Sequence, residues 1–196
     1  MKAKLLLTLI LPVVLMGCSA NDYSQNKGQH GQTASSQQAA SSSAVADVTQ
    51  VKVPVATAIK QYQKTFPNSD ITGISVEREL GKYQYELEGA DDHREYQVKL
   101  NAENAKIIAK QSERLDADEA NGAKRQEALN LNTLISLKRA VQIAQSSAKN
   151  QPVTEASLDH EAGQTNWEIQ FEHQGKETNV KLNAQTGKVL TVEHDD

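Results

Sequence analysis

One cysteine occurs in 196 residues, so an internal disulfide is excluded and any folded part must be held by packing. Paired cysteines and an HExxH motif are missing, which removes the standard zinc signatures. A glycine-rich phosphate loop is also missing. Positive charge is not in excess: 21 Lys and Arg stand against 25 Asp and Glu, a formal net charge of −4. That balance lacks the basic footprint of a nucleic-acid binder. The longest apolar run, Leu5 to Met16, is interrupted by Thr8 and Pro12. It falls short of the about 20 residues a membrane-spanning helix needs.

That run follows Lys2 and Lys4 and ends at the single cysteine, Cys18. A short basic start before an apolar stretch of this length reads as a secretory signal peptide, residues 1–17. Leu15-Met16-Gly17-Cys18 resembles the lipobox of bacterial lipoproteins. The resemblance implies transfer of a diacylglyceryl group to the Cys18 sulfur, cleavage before Cys18 and acylation of the new amino group. Each buried methylene contributes about 0.8 kcal/mol, and two or more chains anchor stably. Without Lys2 and Lys4 the chain keeps 19 basic and 25 acidic groups, a net −6, so the membrane is engaged through Cys18 and not through a basic surface. The implied location is the outer face of the cell membrane, or the outer membrane in a Gram-negative host. Residues 18–50 hold the lipidated cysteine and a Ser-, Gln- and Asn-rich tether that leans toward a Gram-positive host. Such a segment buries too little apolar area to offset its ordering entropy.

The remainder contains one unit twice. Gln97–Lys110 (QVKLNAENAKIIAK) matches Asn179–Val192 (NVKLNAQTGKVLTV) at an offset of 82 residues, and the register extends back without a gap to Ala58-Ile59 and Ala140-Val141. In each copy a helical period comes first: Val55, Ile59, Tyr62 and Phe66, then Leu137, Val141, Ala144 and Ala148. Pro54 and Ser136 suit the two helix starts. The period then changes to two, as in Ile74 and Val76, in Tyr83, Tyr85 and Leu87, and in Trp167, Ile169 and Phe171. The pattern predicts an α+β tandem repeat, each unit one helix packed on a small antiparallel sheet. The expected units are 51–110 and 134–194, joined by a polar, partly helix-prone linker, 111–133.

SLKRAVQIA (Ser136–Ala144), WEIQF (Trp167–Phe171) and VKLNAQTGKVL (Val180–Leu190) resemble the PepSY domain, found in propeptides of secreted metallopeptidases and in membrane-associated proteins. Ala140 matches the family's helix alanine, and Ala184, Thr186, Gly187 and Lys188 match its turn. Asn183 stands where the family has aspartate; both side chains can bond to the turn backbone. In the first copy Asn101 and Lys106 fit, while Asn104 replaces the threonine and Ala105 the glycine. Gly187 is expected at positive φ. The Ala105 turn must either differ or carry strain, and a different turn there would leave Ala105→Gly without benefit.

Chemistry is sparse. The five histidines are His30, His93, His160, His173 and His194, and the grouping of His160-Glu161 with His173 reads best as solvated polar residues around a hairpin. Asp91 and Asp92 lie in a loop without walls to separate their pKa values. The serines before residue 44 lack an orienting partner. No catalytic, cofactor-binding or metal residue is assigned, and the chain reads as a non-enzyme. Tyr83, Tyr85, Tyr96 and Trp167 read as core, with residual contact area. The family resemblance implies a lipid-anchored extracytoplasmic binding module that regulates or inhibits a peptidase, or assists its maturation. The alternatives are an interaction protein of the envelope and a small-ligand binder. An apolar cleft between the repeats would favour the ligand binder, and exposed sheet edges would favour protein binding.

Overall fold

The computed structural model describes residues 47–148 and 151–195. Cys18, the signal segment and most of the tether lie outside them. The first unit is α1 (Val55–Thr65) followed by β1 (Asp70–Glu79), β2 (Lys82–Ala90), β3 (Arg94–Asn101) and β4 (Ile107–Arg114). The second is α2 (Leu137–Ala144) followed by β5 (Val153–Glu161), β6 (Gln164–His173), β7 (Lys176–Asn183) and β8 (Val189–Asp195). Each unit is an antiparallel meander with its helix on one face, as the change of period predicts. The strand order within the two units is the same.

The units are not merely packed together. They share one eight-stranded sheet, in the order β4-β3-β2-β1-β5-β6-β7-β8. The seam is the antiparallel pair β1–β5, in which Gly73 faces Asp159, Ser75 faces Ser157 and Glu77 faces Glu155. Ser75 and Ser157 are themselves related by the 82-residue offset, so a pseudo-two-fold axis passes between them. Exchanging the repeats carries the Gly73/Asp159 pair onto Glu155/Glu77.

The helix side of the sheet is the core. Ile74, Val76, Tyr85, Leu87, Val98 and Leu100 are buried in the first unit, and Ala156, Leu158, Trp167, Ile169, Val180 and Leu182 in the second. Ala58 and Ala140, at the matching helix position, are both fully buried, since only a small side chain lets the helix come close. The two cores reach similar fill with opposite choices. Tyr62, Phe66 and Tyr96 form a ring cluster in the first unit, Phe66 and Tyr96 having centroids 4.4 Å apart. At the matching places the second unit has Ala144, Ala148 and Thr178. It recovers volume from the sheet, with buried Phe171 where the first unit has Gly89. Gly89 is obligatory there: a Cβ would collide with the Tyr62 hydroxyl and the Asp70 carbonyl.

Helix ends follow local chemistry. The Ser136 hydroxyl accepts from the Arg139 N–H at 3.2 Å. α2 is shorter than its apolar period predicts. The chain tightens after Ala144 as Ser147 and Ala148 N–H bond three residues back, and the Ser146 hydroxyl takes the Ile143 carbonyl. Ala148 is still buried.

The segment read as a linker is largely fixed. Its first four residues extend β4. Leu115 and Leu129 are buried, and Arg125 reaches Asp70 and Asp92 at 2.7 and 3.1 Å. The last residues read as tether are also ordered: Asp47 caps the 3-10 turn Val48–Gln50, and Val48 is fully buried.

The opposite face of the sheet is acidic. Burial, together with Glu86 and Glu95 and against a counter-effect of Lys124, raises Glu88 above the usual 4.5. Burial and then Glu77, Asp159, Glu168 and Glu177 raise Glu155. The folded state therefore binds more protons than the unfolded chain between 4.5 and these raised values, and stability increases as pH falls through that window. The denaturation midpoint should rise as pH is lowered toward the ordinary glutamate value from above. A midpoint that falls monotonically over that range would contradict the reading. Gly89→Ala should cost at least about 2 kcal/mol in denaturant unfolding, because the colliding carbonyl is backbone and cannot rotate away.

Candidate functional site

The 82-residue offset places the same device twice beside the seam. Before α1 the chain runs through Val51–Pro54, and before α2 through Thr133–Ser136. The Tyr85 hydroxyl donates to the Val53 carbonyl at 2.7 Å. Its counterpart Trp167 donates from Nε1 to the Ile135 carbonyl at 3.2 Å. Both rings are buried, and burial pushes the Tyr85 hydroxyl pKa well up. Each aromatic thus fixes the entry to its own helix.

The same two stretches of chain are tied to the hairpin turns. Ala102 donates its N–H to the Tyr83 carbonyl and gives its own carbonyl to Lys52 and Val53; Ala184 bonds to Thr165 and Ile135 in the same way. The turn holding Asn183, Thr186, Gly187 and Lys188 is built as the sequence indicates. Asn183 Oδ1 accepts from the Gln185 and Thr186 N–H groups at 3.2 and 2.9 Å and from the Thr186 hydroxyl at 2.9 Å. The Lys188 N–H reaches Thr186 Oγ1 at 3.3 Å. Gly187 has φ +73°, and a Cβ on it would lie 2.6 Å from Ile143 Cδ1. The first turn is the same, not different. Asn104 Oδ1 replaces the threonine hydroxyl, accepting from Lys106 N–H at 3.0 Å, and Ala105 sits at φ +59°. At the position matching Ile143 the first unit has Gln61, and Ala105 carries the backbone strain of its positive φ.

Between the two devices lies a cleft of about 550 Å³. Tyr85 and Trp167 form its floor, and Val51, Val55, Ile59, Leu131 and Leu134 are among its walls. Lys52 and Lys138 stand on its margin, and the first turns of both helices open onto it. Thr133, a β-branched residue at φ +52°, also lines it; such a backbone is held only where its surroundings over-determine it. The volume lies within the range of roughly 300–1,000 Å³ typical of ligand clefts.

The other residues singled out from sequence serve the fold. Asp91 Oδ1 accepts from His93 and Arg94 N–H at 2.7 and 2.8 Å, and its Oδ2 from the Tyr96 hydroxyl at 2.6 Å. Burial alone would raise the Asp91 pKa, but these bonds outweigh it and lower it. Asp92 pairs with Arg125. His160 lies on β5, His173 ends β6 and His194 lies on β8. Among the described residues, no group of three or more His, Cys, Asp or Glu is placed to hold a metal ion. Val51, Leu131 and Leu134 escaped sequence reasoning because Leu131 falls in the stretch read as linker and the other two open the expected units ahead of their helix periods. The available signal was the presence of apolar residues just ahead of each helix period.

A family model described as "Peptidase propeptide and YPEB domain" matches residues 52–111 and again 134–193. The chain belongs to the PepSY family. The two PepSY domains are the two units described above. A crystal structure of a "putative lipoprotein" from Clostridium difficile 630 is 34% identical, with a TM-score of 0.71, over 74% of this chain and 95% of that one. The comparison with curated proteins found no match.

The paired turns give an internal test. Left-handed backbone costs a non-glycine residue about 1–2 kcal/mol, while replacing Ala by Gly costs about 0.4–1 kcal/mol through the unfolded chain. Ala105→Gly should therefore stabilise by about 0.5–1 kcal/mol, contrary to the expectation from a different turn. Gly187→Ala should destabilise by at least about 1 kcal/mol, since strain and the Ile143 contact act together. Denaturant midpoints of the two variants should move in opposite directions.

Proposed function

We propose that this protein is a non-catalytic, lipid-anchored binding module that acts outside the cytoplasm and regulates a peptidase by holding an apolar segment of it. The observation that carries the reading is the apolar cleft shared by both PepSY domains, floored by Tyr85 and Trp167. The family's description supports the link to peptidases, and the similar crystal structure, described as that of a "putative lipoprotein", supports the anchor at Cys18. A cleft of this size and lining also suits a small apolar molecule, which is the second reading.

The test compares the full chain with Cys18→Ser and with Leu134→Arg, which places a charge on the cleft wall. Membrane-associated peptidase activity and partner capture are measured in the host cell. Loss of both effects in Leu134→Arg, with Cys18→Ser released from the membrane, is the expected outcome. Unchanged peptidase activity in every strain, with a lipid or other small molecule co-purifying through the intact cleft, would replace the first reading with the second.

A further inference from the structure

The sheet face opposite the helices carries a charge arrangement that the fold does not need. Across the seam Glu77 stands directly opposite Glu155, a like-charge cross-strand pair that destabilises a sheet. At the other end of the same seam Gly73 faces Asp159, and Glu88 lies over Gly73, its Oε2 being 3.4 Å from where a Cβ would be. Three lysines beside the seam's carboxylates are engaged elsewhere. Lys99 pairs with Glu86 and Glu79, its repeat counterpart Lys181 with Glu161 and Glu168, and Lys124 with Glu95 and Glu127. Glu77, Glu155, Glu88 and Asp159 have no cation within ion-pair distance among the described residues. Asp159 accepts from the Ser157 hydroxyl at 3.0 Å, a neutral donor that leaves its charge uncompensated.

An independent observation points to a missing donor. Asn166 faces Asp159 across β5–β6, is 4% exposed, and its Oδ1 has no hydrogen-bond partner. Its repeat counterpart Gln84 is held by its amide nitrogen, which donates to Glu79. Buried acceptors are normally paired, so an orphan beside carboxylates without a cation marks a place for an incoming N–H group. A guanidinium, with five donors in a fork, suits this combination better than an ammonium.

We propose that the polar face over the seam docks an extended segment of a partner protein carrying two basic residues four positions apart. One, preferably arginine, meets Glu88, Asp159 and Asn166; the other meets Glu77 and Glu155. The spacing follows from the strands. Gly73 and Glu77 are four residues apart on β1, about 13 Å at roughly 3.3 Å per residue, and an extended partner repeats that distance between its own i and i+4 side chains. Ser75 and Ser157, small and neutral, leave the middle clear. This surface lies on the opposite side of the sheet from the cleft, so the two proposals stand or fall separately.

The probes are two peptides of equal charge and composition, Ser-Arg-Ser-Ser-Ser-Arg-Ser and Ser-Ser-Ser-Arg-Arg-Ser-Ser, titrated against the full chain in detergent at moderate salt. The spaced peptide should bind saturably and at least about threefold more tightly than the adjacent one, and Glu155→Gln should weaken it about fivefold. Glu193→Gln, on β8 and distant from the seam, should change it by less than about twofold. Glu77→Gln should weaken binding while leaving the denaturation midpoint unchanged or higher, because it removes a repulsion. Equal binding of the two peptides, an equal loss in Glu193→Gln, no saturable binding, or a lower midpoint for Glu77→Gln would each overturn the proposal.

Discussion

The β1–β5 pairing is the constraint on which the rest of the molecule depends. A helix on four strands of under 60 residues has a small core and, left alone, an open inner edge. Pairing β1 with β5 closes both inner edges at once. It also fixes the register so that Ser75 meets Ser157. Because successive side chains point to opposite faces, a one-residue slip at this seam would put the two helices on opposite faces of the sheet. The helix entries, the turns that bond to them and the cleft between them all take their positions from that register.

The duplicated hydrogen-bond plan shows how the repeats hold their functional region. Tyr85 and Trp167 are different residues in equivalent places, and each fills the floor with a ring and ties its polar atom to the carbonyl just before a helix. The next layer repeats the logic with Ala102 and Ala184. A ligand in the cleft would thus meet walls anchored at both ends to the sheet. Rigid, largely preformed walls reduce the ordering cost of binding.

Much of this was legible in the sequence for a physical reason. Period and offset report local structure, and both turns, both helices and the α+β class depend on local structure. The Asn183 turn was readable because a side chain that bonds its own backbone leaves a local signature. The seam was not readable. Ile74, Val76, Ala156 and Leu158 would look the same in two sheets packed face to face as in one continuous sheet. The cleft was hidden because Val51, Leu131 and Leu134 stand in segments of mixed polarity, where no period announces burial. Ala105 is the instructive middle case. Its sequence permits two turns; the left-handed backbone at Ala105 shows which one forms, and in the other copy Ile143 lies where a Cβ on Gly187 would go.

The seam has the geometry of an isologous dimer interface, in which residue i of one copy meets residue j of the other and j meets i. In a true homodimer every substitution at such an interface appears twice. Here the two halves share one chain, so their association does not depend on concentration, and each side of the interface can change alone. That freedom is visible where Gly73 faces Asp159 while the symmetry-related position sets Glu155 against Glu77. A symmetric dimer with glutamate at both places would double the repulsion, and one with glycine at both would lose it. Joining the copies in one polypeptide is what allows a face built on two-fold symmetry to present two unlike ends.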